Sequence, residues 1–402
     1  MRMSKKKEIV PKFRFPEFQR DGIDFVHGNK LFKSITNKNH NSDLPILAIT
    51  QDQGAVPRDQ IEYNVTVTDK SLSNYKVVEV GDFIISLRSF QGGIEYSRFK
   101  GICSPAYIIL RKREENISEL YYKYFFKTWR YIQSLNRNLE GIRDGKMISY
   151  SQFSSVKVPY PRSFKEQQKI ADCLSSIDEL IDAENRKLKA LEKYKKGLMQ
   201  KLFPAEGKTL PEWRFPEFRG KSEWRIKPLG KICTNYDSRR IPITEKDRVK
   251  GEIPYIGASG VIDYINDFIF DEDLLCVSED GANLVARTYP IAFSISGKTW
   301  VNNHAHVLKF SHKYTQDIIE SYLNMINLQD FLTGMAQPKL NRAKLDIIPI
   351  PLPEEEEQQK IADCLSEVDK IITEQSNKVE QLKAHKKGLM QGLFPSLEEA
   401  DV

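Results

Sequence analysis

What this chain of 402 residues lacks narrows its function before any motif is read. It has no apolar run of 18 residues, so no helical membrane span is expected. Its first stretch, Met1-Arg-Met-Ser-Lys-Lys-Lys7, is basic and has no apolar core of the kind a secretory leader carries. The five cysteines (Cys103, Cys173, Cys233, Cys276 and Cys364) show no CxxC or other paired spacing. That argues against a disulfide framework and a zinc module, and for a reduced, cytoplasmic protein. There is no GxGxxG fingerprint, no Asn/Asp-Pro-Pro-aromatic motif for methylating a base amino group, and no Pro-Asp…Glu-x-Lys nuclease core. Ala292-Phe-Ser-Ile-Ser-Gly-Lys-Thr299 meets a relaxed nucleotide-binding pattern. A phosphate cradle needs a glycine-rich loop opening a helix, and here a single glycine leads into the strand- or loop-like Trp300-Val-Asn-Asn303. His304 and His306 share a face if extended, without the further ligands a metal requires. Glu354-Glu-Glu-Glu357 reads as negative charge favoured at a helix N-terminus. No catalytic, metal or cofactor residue is assigned.

What is present is a repeat. Glu166-Gln-Gln-Lys-Ile-Ala-Asp-Cys-Leu-Ser175 returns as Glu357-Gln-Gln-Lys-Ile-Ala-Asp-Cys-Leu-Ser366, and 23 of 39 positions are identical at an offset of 191. Both copies close on Lys-Lys-Gly-Leu-Met-Gln (195–200 and 386–391) and Leu-Phe-Pro (202–204 and 393–395). Ile170, Ile177, Leu191 and Leu198 form one row, and Leu174, Ile181, Leu188 and Leu202 a second row offset by four. The second copy supplies Ile361, Val368, Leu382 and Leu389, with Leu365, Ile372, Val379 and Leu393. This is the period of a coiled-coil seam, and the two copies are obvious partners for each other. Each seam is broken at equivalent places by Glu184 and Lys195, or Gln375 and Lys386, and such residues fix register at a cost in stability. About 37 helical residues would span roughly 55 Å.

A shorter repeat, Pro11-Lys-Phe-Arg-Phe-Pro-Glu-Phe18 and Pro211-Glu-Trp-Arg-Phe-Pro-Glu-Phe218, leads into each globular segment. The expected organisation is a tail and lead-in over 1–18, a first domain over 19–161 and a long helix over 162–204. A linker and second lead-in follow over 205–218, then a second domain over 219–353 and a second long helix over 354–402. Proline straps, Val158-Pro-Tyr-Pro161 and Ile348-Pro-Ile-Pro-Leu-Pro353, hold the chain extended before each helix. Short β-rich runs, with helical stretches around 118–135 and 315–332, predict two similar α+β domains.

Asp82-Phe-Ile-Ile-Ser86 aligns with Asp273-Leu-Leu-Cys-Val277 at the same offset, but the residues after them diverge. A retained framework with rewritten polar loops suits two readers of different ligands. In the first domain the candidates are Arg88, Ser89, Phe90, Gln91, Ser104, Tyr107, Arg143 and Lys146. In the second they are Glu279, Asp280, Asn283, Asn302, Asn303, His304, His306, Gln337 and Lys339. Arginine suits guanine, asparagine or glutamine adenine, and a carboxylate accepts from cytosine, so these types fit base edges. The net charge of +6 permits nucleic-acid binding.

Together these motifs resemble the specificity subunit of type I restriction–modification systems. The doubled Glu-Gln-Gln-Lys-Ile-Ala-Asp helices, the straps and the Gly-Leu-Met-Gln-x-Leu-Phe-Pro endings carry the resemblance. Val277-Ser-Glu-Asp-Gly-Ala-Asn-Leu284 and Trp300-Val-Asn-Asn-His-Ala-His306 add to it, and the first domain has no equivalent of Glu-Asp-Gly-Ala-Asn. The resemblance implies two target recognition domains, each reading half of a bipartite, gapped double-stranded DNA site. It implies an antiparallel coil as spacer, two modification subunits using S-adenosylmethionine, and two restriction subunits using ATP and magnesium. It implies no cofactor and no catalysis in this chain. Two other readings stand beside it: a DNA-binding coiled-coil regulator without a methyltransferase, and a nucleotide-dependent enzyme using Gly297-Lys-Thr299.

Overall fold

The computed structural model describes residues 10–61, 72–137, 148–334 and 337–395. The chain divides into two units, one of residues 1–184 and 378–402 and one of 185–377. Each unit holds the first half of one long helix and the second half of the other. The central helix is Phe164–Leu202 and the C-terminal helix Glu355–Leu393.

In the first unit, Ile23–His27 pairs antiparallel with the strap Lys157–Pro161, whose prolines are tolerated because this sheet has only two strands. A four-stranded antiparallel sheet runs in the order Phe32–Ile35, Ile108–Lys112, Phe83–Ile85, Glu95–Tyr96. Within its sequence span Leu47–Thr50 forms a hairpin with Gly54–Pro57, Lys76–Val78 pairs antiparallel with Gly101–Cys103, and a parallel bridge from Ile46 to Ile102 joins the two pairs. Glu119–Phe125 and Trp129–Arg137 are helical, the first capped by Ser118. The core is aromatic: Phe32, Phe83, Tyr122, Phe125, Phe126 and Phe153 meet edge-on or tilted. Ile170 and Leu174 of the central helix, Leu393 of the C-terminal helix and Phe394 just past its end join this core.

The second unit repeats the plan. Arg225–Pro228 pairs with Pro349–Leu352. Its antiparallel sheet has the order Thr234–Asn235, Ala305–Lys309, Leu274–Ser278, Ala292–Ile295. The strand aligned by sequence, Asp82–Ser86 with Asp273–Val277, is the third strand of both sheets. A second sheet, Gly260–Ile265, Lys250–Gly257, Lys298–Val301, Phe270–Asp271, includes one parallel pair. The helix expected to reach 332 spans Lys313–Met325. Ile326 turns to an extended conformation, and the Arg287 guanidinium donates to the carbonyls of Leu323 and Ile326. That tertiary cap ends the helix.

The repeated motif explains itself in both units. Arg14 makes a two-pronged ion pair with Glu166, and Arg214 with Glu357. Gln167 donates to the strap carbonyl of Pro161 and accepts from the Ser118 amide. Gln358 donates to Pro353 and accepts from the Thr315 hydroxyl. Glu-Gln therefore staples lead-in, strap and domain helix to the start of each long helix. The Phe13 amide donates to Gly392 in the first unit and the Trp213 amide to Lys201 in the second, satisfying carbonyls near a helix end.

The helices run antiparallel within each unit. In the first, Asp178 pairs with Lys386 and Glu184 with Lys378; in the second, Lys195 pairs with Asp369. Of the seam positions, Ile170, Leu174, Ile181, Leu202, Ile361, Leu365, Val379 and Leu393 are buried. Ile177, Leu188, Leu191, Leu198, Val368, Ile372, Leu382 and Leu389 are half-buried. Off the seam, Leu180 and Ile371 are exposed.

Candidate nucleic-acid interface

In the first unit, the framework strand Phe83–Ile85 delivers the chain into a tight turn, Ser89–Gly92. Ser86 and Ser89 fix it: the Ser86 amide donates to the Ser89 hydroxyl oxygen, and the two hydroxyls lie 3.4 Å apart. Gly93 follows at φ +83°, where a Cβ would collide with the Phe126 carbonyl. The turn thrusts Arg88 and Gln91 into solvent. Beside it stands the hairpin tip after Leu47–Thr50. The Gln51 amide donates to the Arg88 carbonyl, and Lys127 ties Gln51 and Gly92 carbonyls to the buried Glu95 carboxylate. Burial pushes the Glu95 carboxyl up, against the opposing pull of Lys127.

Not every expected residue faces outward. Ser89 is buried and serves the turn. Phe90 packs on the aromatic core. Ser104 is half-buried and accepts from the Ala106 amide. Tyr107 is half-buried, its carbonyl accepting from Lys76, and burial raises its phenol. Arg143 and Lys146 lie outside the described residues. The exposed tip Gln51-Asp-Gln53 was not singled out from sequence, although it sits before Gly54 between two β-rich runs.

In the second unit three separate stretches of sequence converge. The Leu340 amide donates to the Glu279 carbonyl and the Gly281 amide to the Pro338 carbonyl, which seats residues 337–340 against Glu279-Asp-Gly281. The Glu279 amide donates to the His304 carbonyl, bringing in the Asn303-His304 turn. Across the surface, Glu279 pairs with Arg240 at 2.8 Å and Lys339 at 3.2 Å, and Asp280 with His304 at 2.8 Å. Asn303, His304, Gln337 and Lys339 are exposed, and Glu279 and Asp280 half-buried. The hairpin tip Gly257-Ala-Ser-Gly260 joins the rim, because Ser278 donates to the Ala258 carbonyl.

Below this surface lies a buried polar layer that corrects three expectations. His306 is 1% exposed; Nδ1 lies 2.6 Å from Asp237 and Nε2 2.7 Å from the Leu340 carbonyl. Asn283 is buried, donating to Tyr289 and accepting from Thr288. Asn302 is buried and accepts from the His304 amide. These three brace the surface from beneath and offer no free edge to a ligand. Burial raises the Asp237 carboxyl, but His306, the Val307 amide and Arg240 together hold it below its ordinary range. Burial likewise opposes, and Arg240, His306 and Lys339 overcome, to hold Glu279 low. Asp237 and Arg240 were missed in the sequence because no motif surrounds them.

Gly297 leads into the strand Lys298–Val301 instead of a helix, so Gly297-Lys-Thr299 presents no helix dipole to a phosphate. Among the described residues no group of three or more His, Cys, Asp or Glu is placed to hold a metal. No helix among them is long and apolar enough to cross a membrane. The surfaces combine protruding Arg, Gln, Asn, His and Lys with carboxylates locked by cations.

Comparison with known proteins places this geometry. A family model described as Type I restriction modification DNA specificity domain matches twice, over residues 21–193 and 221–383. The chain is 25% identical over 355 residues to the Type I restriction enzyme MjaVIII specificity subunit of Methanocaldococcus jannaschii, covering 81% of this chain and 80% of that one. It is 33% identical over 153 residues to a protein of Haemophilus influenzae described as a type I restriction enzyme specificity subunit, spanning 38% of this chain and 39% of that one. The crystal structure of the S subunit of a type I restriction–modification system from M. genitalium superposes with a TM-score of 0.59 over 96% of this chain and 99% of that one, at 15% identity, a shared fold.

Proposed function

Since the chain belongs to the type I restriction modification DNA specificity family, with its model matching both halves, we propose that each unit reads one half of a split DNA site. The observation carrying this is the pairing of one framework with two different polar surfaces. Arg88 and Gln91 stand on the first, and Asn303, His304, Gln337 and Lys339 on the second, at the same end of equivalent sheets. Arg88 has the donors for guanine, and Gln91, Asn303 and Gln337 can pair with adenine. Lysines around the loops contact phosphate and set affinity and its salt dependence.

The chain passes from one unit to the other only inside its two long helices, between 184 and 185 and between 377 and 378. That suits a spacer that fixes the unread gap. The duplicated helices suit two identical modification subunits, which would bring S-adenosylmethionine, with restriction subunits bringing ATP and magnesium; this chain selects the site. Adenine inside duplex DNA must be flipped out to be methylated, and the modification subunit would perform that step.

Co-purification of the chain with the modification subunit of its system, followed by genome-wide mapping of methylated adenine, tests the reading. The expected result is a complex with two modification subunits per chain and methylation at a split motif. A chain that binds DNA with no methylating partner would instead establish the regulator reading.

A further inference from the structure

The hairpin tip of the first unit, Gln51-Asp-Gln53, is exposed and has no part in the reading proposed above. It is not a loose loop. The Thr50 hydroxyl donates to the Gly54 carbonyl at 3.1 Å and accepts from the Gln53 amide at 3.1 Å, which closes the turn without Asp52. Gly54 sits at φ +78°, and a Cβ there would fall 2.6 Å from the Tyr96 carbonyl oxygen, so the hairpin is pressed against the last strand of the four-stranded sheet. A parallel bridge from Ala55 to Ser97 extends that contact. The tip is also latched to the Arg88 turn. Lys127 donates to the carbonyls of Gln51 and Gly92 at 3.2 and 3.0 Å and to the Glu95 carboxylate, and the Gln51 side-chain amide donates to the Arg88 carbonyl at 3.3 Å. Gly92 leaves the space for this, since a Cβ there would meet the Gln51 side chain at 2.8 Å.

The charge on this tip sets it apart. The Asp52 carboxylate has no ion pair and no hydrogen bond among the described residues. On the second unit's surface the carboxylates are engaged, Glu279 by Arg240 and Lys339 and Asp280 by His304. That unit's own hairpin tip, Gly257-Ala-Ser-Gly260, carries no carboxylate. An unpaired carboxylate on a face that meets DNA is repelled by every phosphate, whatever the sequence. The repulsion is offset only where a base edge presents an amino group. In the major groove guanine presents two acceptors, thymine an acceptor and a methyl group, and adenine an acceptor beside its amino group. Cytosine alone presents the N4 donor without an acceptor next to it, so it suits the two oxygens of a carboxylate.

We propose that Asp52 is a specificity-determining residue of the first unit, accepting from the N4 amino group of a cytosine adjacent to the base read by Arg88. The inference rests on the reading that this unit recognises half of a split DNA site, and it adds one base and the residue that selects it. Asp52 acts by rejection as much as by attraction: it weakens binding to every sequence that offers it an acceptor, and is tolerated where cytosine offers a donor. The Lys127 latch makes this selection possible, because it fixes the distance between the hairpin tip and the Arg88 turn. Gln51, which spans the two, keeps its side-chain oxygen free of hydrogen bonds among the described residues.

The test measures binding of the full chain, in complex with its modification subunit, to duplexes carrying each of the four base pairs at every position of the first half-site. That half-site is the one that changes when residues 19–157 are replaced. The wild type should favour cytosine at one position by roughly tenfold or more. Asp52→Ala should bind the non-cognate duplexes more tightly than the wild type does and lose that preference. Asp52→Asn, whose amide both donates and accepts, should move the preference to adenine. Preferences elsewhere in the site and the length of the gap should stay as they are. Thr50 and Gly54 close the turn, so both variants should melt as the wild type does. An equal gain in affinity for every sequence, with the cytosine preference intact, would mean that only a charge was removed, and overturns the proposal. Unchanged binding by both variants, or a first half-site with no cytosine preference, also overturns it. Each of these results leaves the half-site reading standing, whereas a wild-type complex that recognises no split site overturns both.

Discussion

Asp237 joins the second readout surface to its sheet through several partners, meeting His306, the Val307 amide and Arg240. Glu279 extends the same chain of charges to Lys339 at the surface. Both carboxyls are held below their ordinary range in the folded protein, so their contribution is fully present above the unfolded pKa and is lost as pH falls through the folded value. Glu279→Gln should therefore lower the melting temperature most near neutrality, and the gap to wild type should close below about pH 4. A gap that stays constant on acidification would contradict the charge network. At the surface itself, Arg88→Ala should weaken binding at one half-site by about 1–3 kcal/mol and relax its base preference, read from binding to a panel of site variants. Loss distributed equally over all sequences would make Arg88 a phosphate contact. The polar residue types of these loops were legible in sequence; their directions were not. His304 and His306 alternate as if on one strand face, yet His304 belongs to a turn and the strand begins at Ala305. That one change of geometry puts one imidazole in solvent and the other in the core.

The element that recurs with least change is the start of each long helix, and its conserved chemistry is mechanical. Arg14 and Arg214 are mostly buried against nearly inaccessible Glu166 and Glu357. Removing one partner of such a pair strands a buried charge, at about 3–5 kcal/mol. Arg14→Ala should thus destabilise the first unit, and Arg214→Ala the second, seen as separate shifts in hydrogen-exchange protection. Protection unchanged in the affected unit would show that the lead-in is not a staple. The seam was legible because a heptad is a property of local sequence. Its interruptions were legible as positions but not as partners, since Lys195–Asp369 and Asp178–Lys386 join residues far apart in the chain. The end of the helix at Met325 was hidden for the same reason: Arg287, 36 residues before Leu323, supplies the cap.

At the scale of the whole molecule the sequence repeat becomes two units with the same strand order, and among the described residues they differ in strand length, in short helices and in rewritten loops. The second sheet of the second unit has a smaller counterpart in the first, where the pairs Leu47–Thr50 with Gly54–Pro57 and Lys76–Val78 with Gly101–Cys103 are joined by a parallel bridge from Ile46 to Ile102; sequence patterning did not separate either from the common framework. If the two helices set the gap, inserting seven residues within 185–195 and at the equivalent 376–386 should lengthen the unread gap by about three base pairs, since seven residues rise about 10 Å. An unchanged gap in the methylation map would remove the spacer role. The central claim is modular reading, and mapping methylated adenine after replacing residues 19–157 with the matching segment of another specificity subunit tests it most directly. The account predicts a new first half-site, the old second half-site and the old gap; a change in both halves, or in neither, would contradict it.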